Sequence, residues 1–214
     1  MILHGYWRSG TSYRTRIALN LKGLVYETAP VDLRTGEQTS EAYLALNPQG
    51  LVPALETGGG LVLTQSPAIL EWLEETHPTP ALLPTAAADR AAVRGMAALI
   101  GCDIHPLNNL RVLKAVRNLG ADQAGVDAWA GRWILDGFAA LEAQVQHHGE
   151  GWCFGGAPTL ADCYLIPQIY SARRFNVDLT PFPRLLATEA RASLHPAFMA
   201  AHPDNQPDGR PDAD

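Results

Sequence analysis

The chain is 214 residues long, 47% hydrophobic and 18% charged, with a net charge of −6, which allows one large or two small domains around a well-buried core and excludes global disorder. The acidic balance argues against a nucleic-acid binder, which presents a basic face. No apolar run is long enough to span a bilayer, and the N-terminal Met-Ile-Leu-His-Gly-Tyr lacks the basic and apolar regions of a secretory signal.

In the first third, Ile2–Tyr6 is short and apolar, as a strand should be, and Arg8–Ser12 is a polar loop containing Gly10. Tyr13, Ile17, Ala18 and Leu21 then mark one helical face, which Gly23 ends. Val25–Val31 is strand-like, and residues 36–46 read as one helix. Asn47-Pro48-Gln49-Gly50 is a turn, Leu51–Leu55 is extended around Pro53, and Gly58-Gly59-Gly60 is a hairpin turn into Leu61–Leu63. Gln65–Thr76 is helical, with Ile69, Leu70 and Leu73 inward. The order β-α-β-α-β-β-α over about 80 residues predicts a thioredoxin-like α/β domain at residues 1–80. A proline-rich linker follows at 81–85, and from 86 to 214 the Ala- and Leu-rich runs predict an all-helical domain. The tail from Pro203 to Asp214, rich in Pro and Asp, is expected to be mobile.

Cys102, Cys153 and Cys163 show no Cys-x-x-Cys, so they read as free thiols in a reducing compartment, and the cytosol is the expected location. Lys22 and Lys114 are the only lysines; arginines gather near Arg8, Arg14 and Arg16 and again at Arg173 and Arg174. Such local charge suits a small anionic ligand, and a general preference for Arg over Lys explains it equally well.

Several short stretches carry chemistry. The loop Arg8-Ser9-Gly10-Thr11-Ser12 precedes a helix whose first turn offers unpaired N–H groups and a positive dipole end, a setting for an anion or a thiolate. The hydroxyls of Ser9, Thr11 and Ser12 can donate to such a thiolate, or simply cap the helix. Pro53 follows Val52 at a strand start. In a thioredoxin-like fold such a proline is commonly cis, leaving Val52 N–H and C=O free to pair with a peptide ligand. Ser66, after Gln65, can cap the next helix and hold a ligand carboxylate there. His105 and Asn109, four apart, share a helical face and can line a site. Thr159-Leu160-Ala161-Asp162 is a capping box that starts a buried helix. His147 and His148 have no third ligand at a telling spacing, so no metal site is expected.

Taken in order, residues 8–19, Ala45-Leu46-Asn47-Pro48, Val52-Pro53, Gln65-Ser66, His105-Pro106-Leu107-Asn108-Asn109-Leu110 and the stretch from Arg174 to Pro181 resemble the zeta class of glutathione transferases. That class carries the signature Ser-Ser-Cys-Ser-x-Arg-Val-Arg-Ile-Ala-Leu. Here Gly10 replaces the second serine and Thr11 the cysteine, so any role of that thiol is absent. The resemblance implies a homodimer with one glutathione site per subunit and cis–trans isomerisation of a maleyl-substituted oxo acid, maleylpyruvate or maleylacetoacetate, in aromatic catabolism. It places Ser9, with Thr11, at the thiolate, and Gln38, Val52, Gln65, Ser66, His105 and Asn109 at glutathione. Arg8 and Arg174 are placed at the carboxylates of a small dicarboxylate substrate. Tyr6 is the rival thiolate donor, because other transferase classes use a tyrosine at the end of the first strand. The alternatives are a general glutathione transferase, conjugating or dehalogenating, and a non-catalytic interaction module of the same fold. A thiol–disulfide oxidoreductase is disfavoured because the first 80 residues contain no cysteine.

Overall fold

A computed structural model describes residues 1–209 of the chain. Contacts divide it into two units, Met1–Ala81 together with the segment from Leu194 onward, and Leu82–Ser193.

In the first unit, β1 (Ile2–Gly5), β2 (Glu27–Pro30), β3 (Ala54–Glu56) and β4 (Val62–Thr64) form one sheet in the order β2-β1-β3-β4. β1 runs parallel to β2, with Ile2 opposite Glu27, and antiparallel to β3; β3 and β4 form the antiparallel hairpin. The sheet is covered by α1 (Gly10–Leu21) and α3 (Ser66–Thr76), whose Ile17, Leu19, Ile69, Leu70 and Leu73 bury fully with Leu3 and Leu55. β2 starts two residues later than the apolar pattern suggests. Glu27 is the first residue with a partner on β1, and Val25 stands in solvent. The helix expected over 36–46 is broken in two, a 3-10 turn at Glu37–Thr39 and α2 at Glu41–Leu46. Between them Ser40 is extended and caps α2 by accepting from Tyr43 N–H at 3.2 Å.

α1 is buried nearly all round, from Ser12 to Leu19, including Arg14 and Arg16. Its second apolar side is met by α9 (Pro196–Ala201), where Asn20 Nδ2 donates to Ala197 O and Arg16 Nε to Ala201 O, both at 2.9 Å. The C-terminal segment thus returns to the first unit, whereas the sequence places everything after residue 86 in the helical domain. The segment is also held where mobility was expected. Pro203–Asn205 forms a 3-10 turn, Gln206 is buried and donates to Ala200 O and His202 O, and Asp208 accepts from Trp7 N–H. Residues 210–214 of that expectation lie outside the described residues.

The second unit is helical: α4 (Ala87–Ala98), α5 (Leu110–Asn118), α6 (Gln123–His148), α7 (Leu160–Arg174) and α8 (Pro183–Ala192). A π-turn at Leu99–Ile104 continues α4 and runs into a 3-10 turn at His105–Asn108. Val93, Met96, Ile100, Ile134, Phe138, Leu141, Leu165 and Ile169 are buried. Gly137 of α6 admits the π-turn, since a Cβ there would lie 2.3 Å from Ile104 Cδ1. The capping box forms as its pattern predicts. Asp162 is fully buried and accepts from Thr159 N–H (2.7 Å), Thr159 O–H (2.8 Å) and Cys153 N–H (2.8 Å), fixing the start of α7. Among the described residues no helix is long and apolar enough to cross a membrane, and no three His, Cys, Asp or Glu side chains gather to hold a metal ion.

Candidate active site

The polar loop after β1 becomes a turn, closed by Ser9 N–H donating to Tyr6 O at 3.0 Å, and Ser9 is the N-cap of α1. Ser9 Oγ accepts from Ser12 N–H at 3.3 Å and lies 2.9 Å from Thr11 Oγ1. Thr11 has one hydroxyl proton, and it goes to Val52 O at 2.9 Å. The proton between Ser9 and Thr11 therefore belongs to Ser9, which donates to Thr11. Ser12 faces inward, where its Oγ accepts from Tyr6 N–H at 3.3 Å; Gly5 leaves room for it, because a Cβ there would lie 2.9 Å from Ser12 Oγ. Tyr6 O–H is buried and has no hydrogen-bond partner among the described residues. The first turn of α1 carries no acidic residue, so its amides keep their positive potential.

The Val52–Pro53 peptide is cis. Val52 N–H has no hydrogen-bond partner among the described residues, but its carbonyl is taken by Thr11, so only one of the two groups expected to be free is available. The approach to this point is held rigidly. Leu51 O accepts from Tyr43 O–H at 2.8 Å and from Asn47 Nδ2 at 2.6 Å. Burial pushes the Tyr43 phenol up to about 12, against the opposing pull of its hydrogen bond with Asn47, so it remains a donor. Gln38 sits on the 3-10 turn before α2, and its Oε1 is buried without a partner among the described residues.

At α3 the N-cap is Gln65, in a left-handed conformation (φ 66°), and its side-chain Nε2 donates to Gln49 Oε1. Ser66 is the first helical residue rather than the cap. Its buried Oγ accepts from Arg14 Nη1 at 3.0 Å, which leaves the α3 amides uncapped by any side chain. Arg14, 2% exposed, thus sets a buried cation behind a helix N-terminus that has no acidic residue in its first turn. The sequence offers Arg14 only as one of a cluster of arginines suited to a small anionic ligand; its bond to Ser66, 52 residues away, is not legible there.

The remaining residues separate into the two units. Arg8, beside Ser9 in the first, lies over the Trp7 ring at 5.3 Å. In the second, Arg174 is exposed at the end of α7, where its neighbour Arg173 pairs with Glu189 at 2.5 Å. His105 and Asn109 do not share a helical face. Pro106 lies in the short 3-10 turn, and Asn109 is extended as the N-cap of α5, its Oδ1 accepting from Arg111 N–H at 3.1 Å.

Residues 8–76 match the family model described as "Glutathione S-transferase, N-terminal domain", and residues 123–198 match "Glutathione S-transferase, C-terminal domain". A maleylpyruvate isomerase of Ralstonia sp is 56% identical over 211 residues, covering 97% of this chain and 99% of the relative. A holo structure of maleyl pyruvate isomerase, described as a bacterial glutathione S-transferase of the zeta class, superposes with a TM-score of 0.96 at 55% identity, covering 98% of this chain and all of that one. A maleylacetoacetate isomerase from Anaeromyxobacter dehalogenans with bound GSH in its active site gives a TM-score of 0.89 at 45% identity, over 98% of this chain and 97% of that one. With the Ser9 turn, the cis Val52–Pro53 peptide and the α3 N-terminus in place, and likeness running the length of the chain, the polypeptide belongs to the zeta class of the glutathione S-transferase family.

Proposed function

We propose that the protein is a glutathione-dependent cis–trans isomerase, converting maleylpyruvate or maleylacetoacetate to the fumaryl isomer in aromatic catabolism and working as a cytosolic homodimer. The observation that carries this reading is the set of polar groups in the first unit that none of the described residues claims. Val52 N–H and buried Gln38 Oε1 lack partners among the described residues, and the N-termini of α1 and α3 are free of acidic residues in their first turns.

These groups fit glutathione. Val52 N–H is suited to a peptide carbonyl, Gln38 Oε1 to an amide or ammonium donor, and Ser66 with Gln65 and the α3 amides to the γ-glutamyl carboxylate, which Arg14 favours from behind. The family resemblance assigns His105 and Asn109 to the same ligand, and Arg8 and Arg174 to the two substrate carboxylates. When bound, glutathione supplies a thiolate that adds reversibly to the conjugated double bond, so that the bond turns as a single bond before the thiolate departs. The chain's own part is electrostatic. Ser9 re-aims its hydroxyl proton from Thr11 to the sulfur, and the α1 amides add their dipole. Thr11 is a positioning residue, fixing Val52 through its carbonyl while accepting the Ser9 proton at rest.

The test is an absorbance assay of isomerisation on each oxo acid with protein stripped of thiols, with and without added glutathione. Turnover is expected only with glutathione, and full activity without any thiol would overturn the reading. Arg8→Ala and Arg174→Ala should each lower kcat/KM on the dicarboxylate by about ten- to a hundredfold, the loss of one charge-assisted hydrogen bond, while sparing a neutral chloronitrobenzene. Equal losses on both substrates would remove the arginines from substrate recognition.

A further inference from the structure

Trp7 and Arg8 are the central residues of the turn that Ser9 closes on Tyr6 O, and the turn itself satisfies neither backbone group of Trp7. One is tied to the C-terminal segment directly and the other through Arg16. Trp7 N–H donates to Asp208 Oδ2 at 3.0 Å, and Trp7 O accepts from Arg16 Nη2 at 2.9 Å, while Arg16 Nε donates to Ala201 O at 2.9 Å. Trp7 and Arg16 are both buried and the bonds of Arg16 are buried with them, while Asp208 reaches Trp7 N–H from a half-buried position. The acceptor is fixed in turn. Gly209 N–H donates to Gln206 O at 2.9 Å, and Gln206 Nε2 donates to Ala200 O and His202 O, each at 2.9 Å. A side chain has no room at Gly209, where a Cβ would lie 2.6 Å from Pro203 O and 3.5 Å from Trp7 Cε3.

We propose that Asp208 is a positioning residue for the reaction: by gripping Trp7 N–H it sets the turn that aims the Ser9 hydroxyl. This rests on the reading of Ser9 as the thiolate's donor. Ser9 lies two residues beyond the gripped amide, and its own N–H closes the same turn, so a shift of Trp7 is passed to Ser9 with little to absorb it. The carboxylate lies 201 residues away in sequence, which is why no local motif announces it. Its role is to hold backbone; it touches neither the sulfur nor the substrate.

Asp208→Ala withdraws the acceptor, and Asp208→Asn keeps an oxygen in the same shape. In Asp208→Ala the pH–rate profile of glutathione-dependent isomerisation should move to higher pH, and kcat should fall about ten- to a hundredfold, as expected when a catalytic group is misplaced by about an ångström, with KM for the oxo acid little changed. Asp208→Asn should restore most of kcat and return the profile. Thermal unfolding is measured beside the kinetics; if Asp208→Ala does not fold, the same comparison is made with Asp208→Ser, whose hydroxyl is too short to reach Trp7. An unmoved profile in a folded variant, or equal losses in the Asn and Ala variants, overturns the proposal and leaves the role of Ser9 standing. Failure of the unmutated protein to ionise bound glutathione overturns the reading of Ser9 and this proposal with it, and that result is seen before any variant is made.

Discussion

Replacing Ser9 by Ala removes two things of different size. One is the N-cap bond to Ser12 N–H, long at 3.3 Å, whose loss costs about 0.5–1 kcal/mol of stability. The other is the hydroxyl that we propose donates to the glutathione thiolate, a charge-assisted bond worth about 1.5–3 kcal/mol. At 1.36 kcal/mol per unit, that loss raises the bound thiol's pKa by roughly 1–2 units. A free thiol near ~8.5 that the site brings down by about 2 units is mostly ionised at neutrality, and the variant would hold between about a third and a twenty-fifth as much thiolate. Turnover at pH 7 should fall about three- to twenty-fivefold, while glutathione affinity, which we assign to Val52, Ser66 and the α3 amides, changes little. The assay is an ultraviolet difference titration of the thiolate in the complex, set beside the pH dependence of kcat. Tyr6 is the control. Its hydroxyl is fully buried, so a sulfur at Ser9 has no access to it, and Tyr6→Phe should leave the thiol's titration in place. An unchanged titration in Ser9→Ala with a large shift in Tyr6→Phe would refute the reasoning.

Thr11→Val withdraws the hydroxyl from Val52 O and should weaken glutathione binding about fivefold, the worth of one neutral hydrogen bond, by calorimetry, with a smaller effect on the thiol's pKa. Arg14→Met removes the buried cation behind Ser66 and should weaken glutathione binding about tenfold or more without moving the pH–rate profile, and Arg14→Lys should recover only part of the loss. Gly137→Ala forces a methyl into Ile104 and should destabilise the protein by about 1–3 kcal/mol, read by thermal unfolding; adding Ile104→Ala should return part of it, and full additivity of the two changes would argue against direct contact.

The alternation of the first 80 residues was readable because each element is short and has a Gly or Pro at or close to its end, so local chemistry and tertiary structure agree. Reading failed where distant partners decide. Arg14 and Arg16 read as local charge suited to a small anionic ligand, whereas the fold buries both, Arg14 against Ser66 and Arg16 against α9. The expected helix over 36–46 fails at Ser40, whose own side chain caps the second piece. His105 and Asn109 were spaced as if on an α-helix, but the π-turn and Pro106 change the rise and rotation per residue. For the site, the loop and helix starts were legible as residue types. The direction of the Thr11 proton, the occupation of Val52 O and the place of Ser66 inside α3 depend on which acceptor the fold brings near, and spacing does not encode that.

The return of the chain to its first unit bears on the order in which the protein is made. A ribosome releases the residues of β1, α1 and α3 long before Ala201 and Asp208, yet Arg16 bonds across 185 positions and Trp7 across 201. Contacts of such separation form late, because the loop they close must be ordered first. While residues 82–193 are being synthesised, the nascent first unit therefore leaves the Arg16 Nε group and the Trp7 amide to water and the α9-facing side of α1 uncovered. Those contacts close only once residues 194–208 have emerged. The helical unit, contiguous in sequence, is complete first.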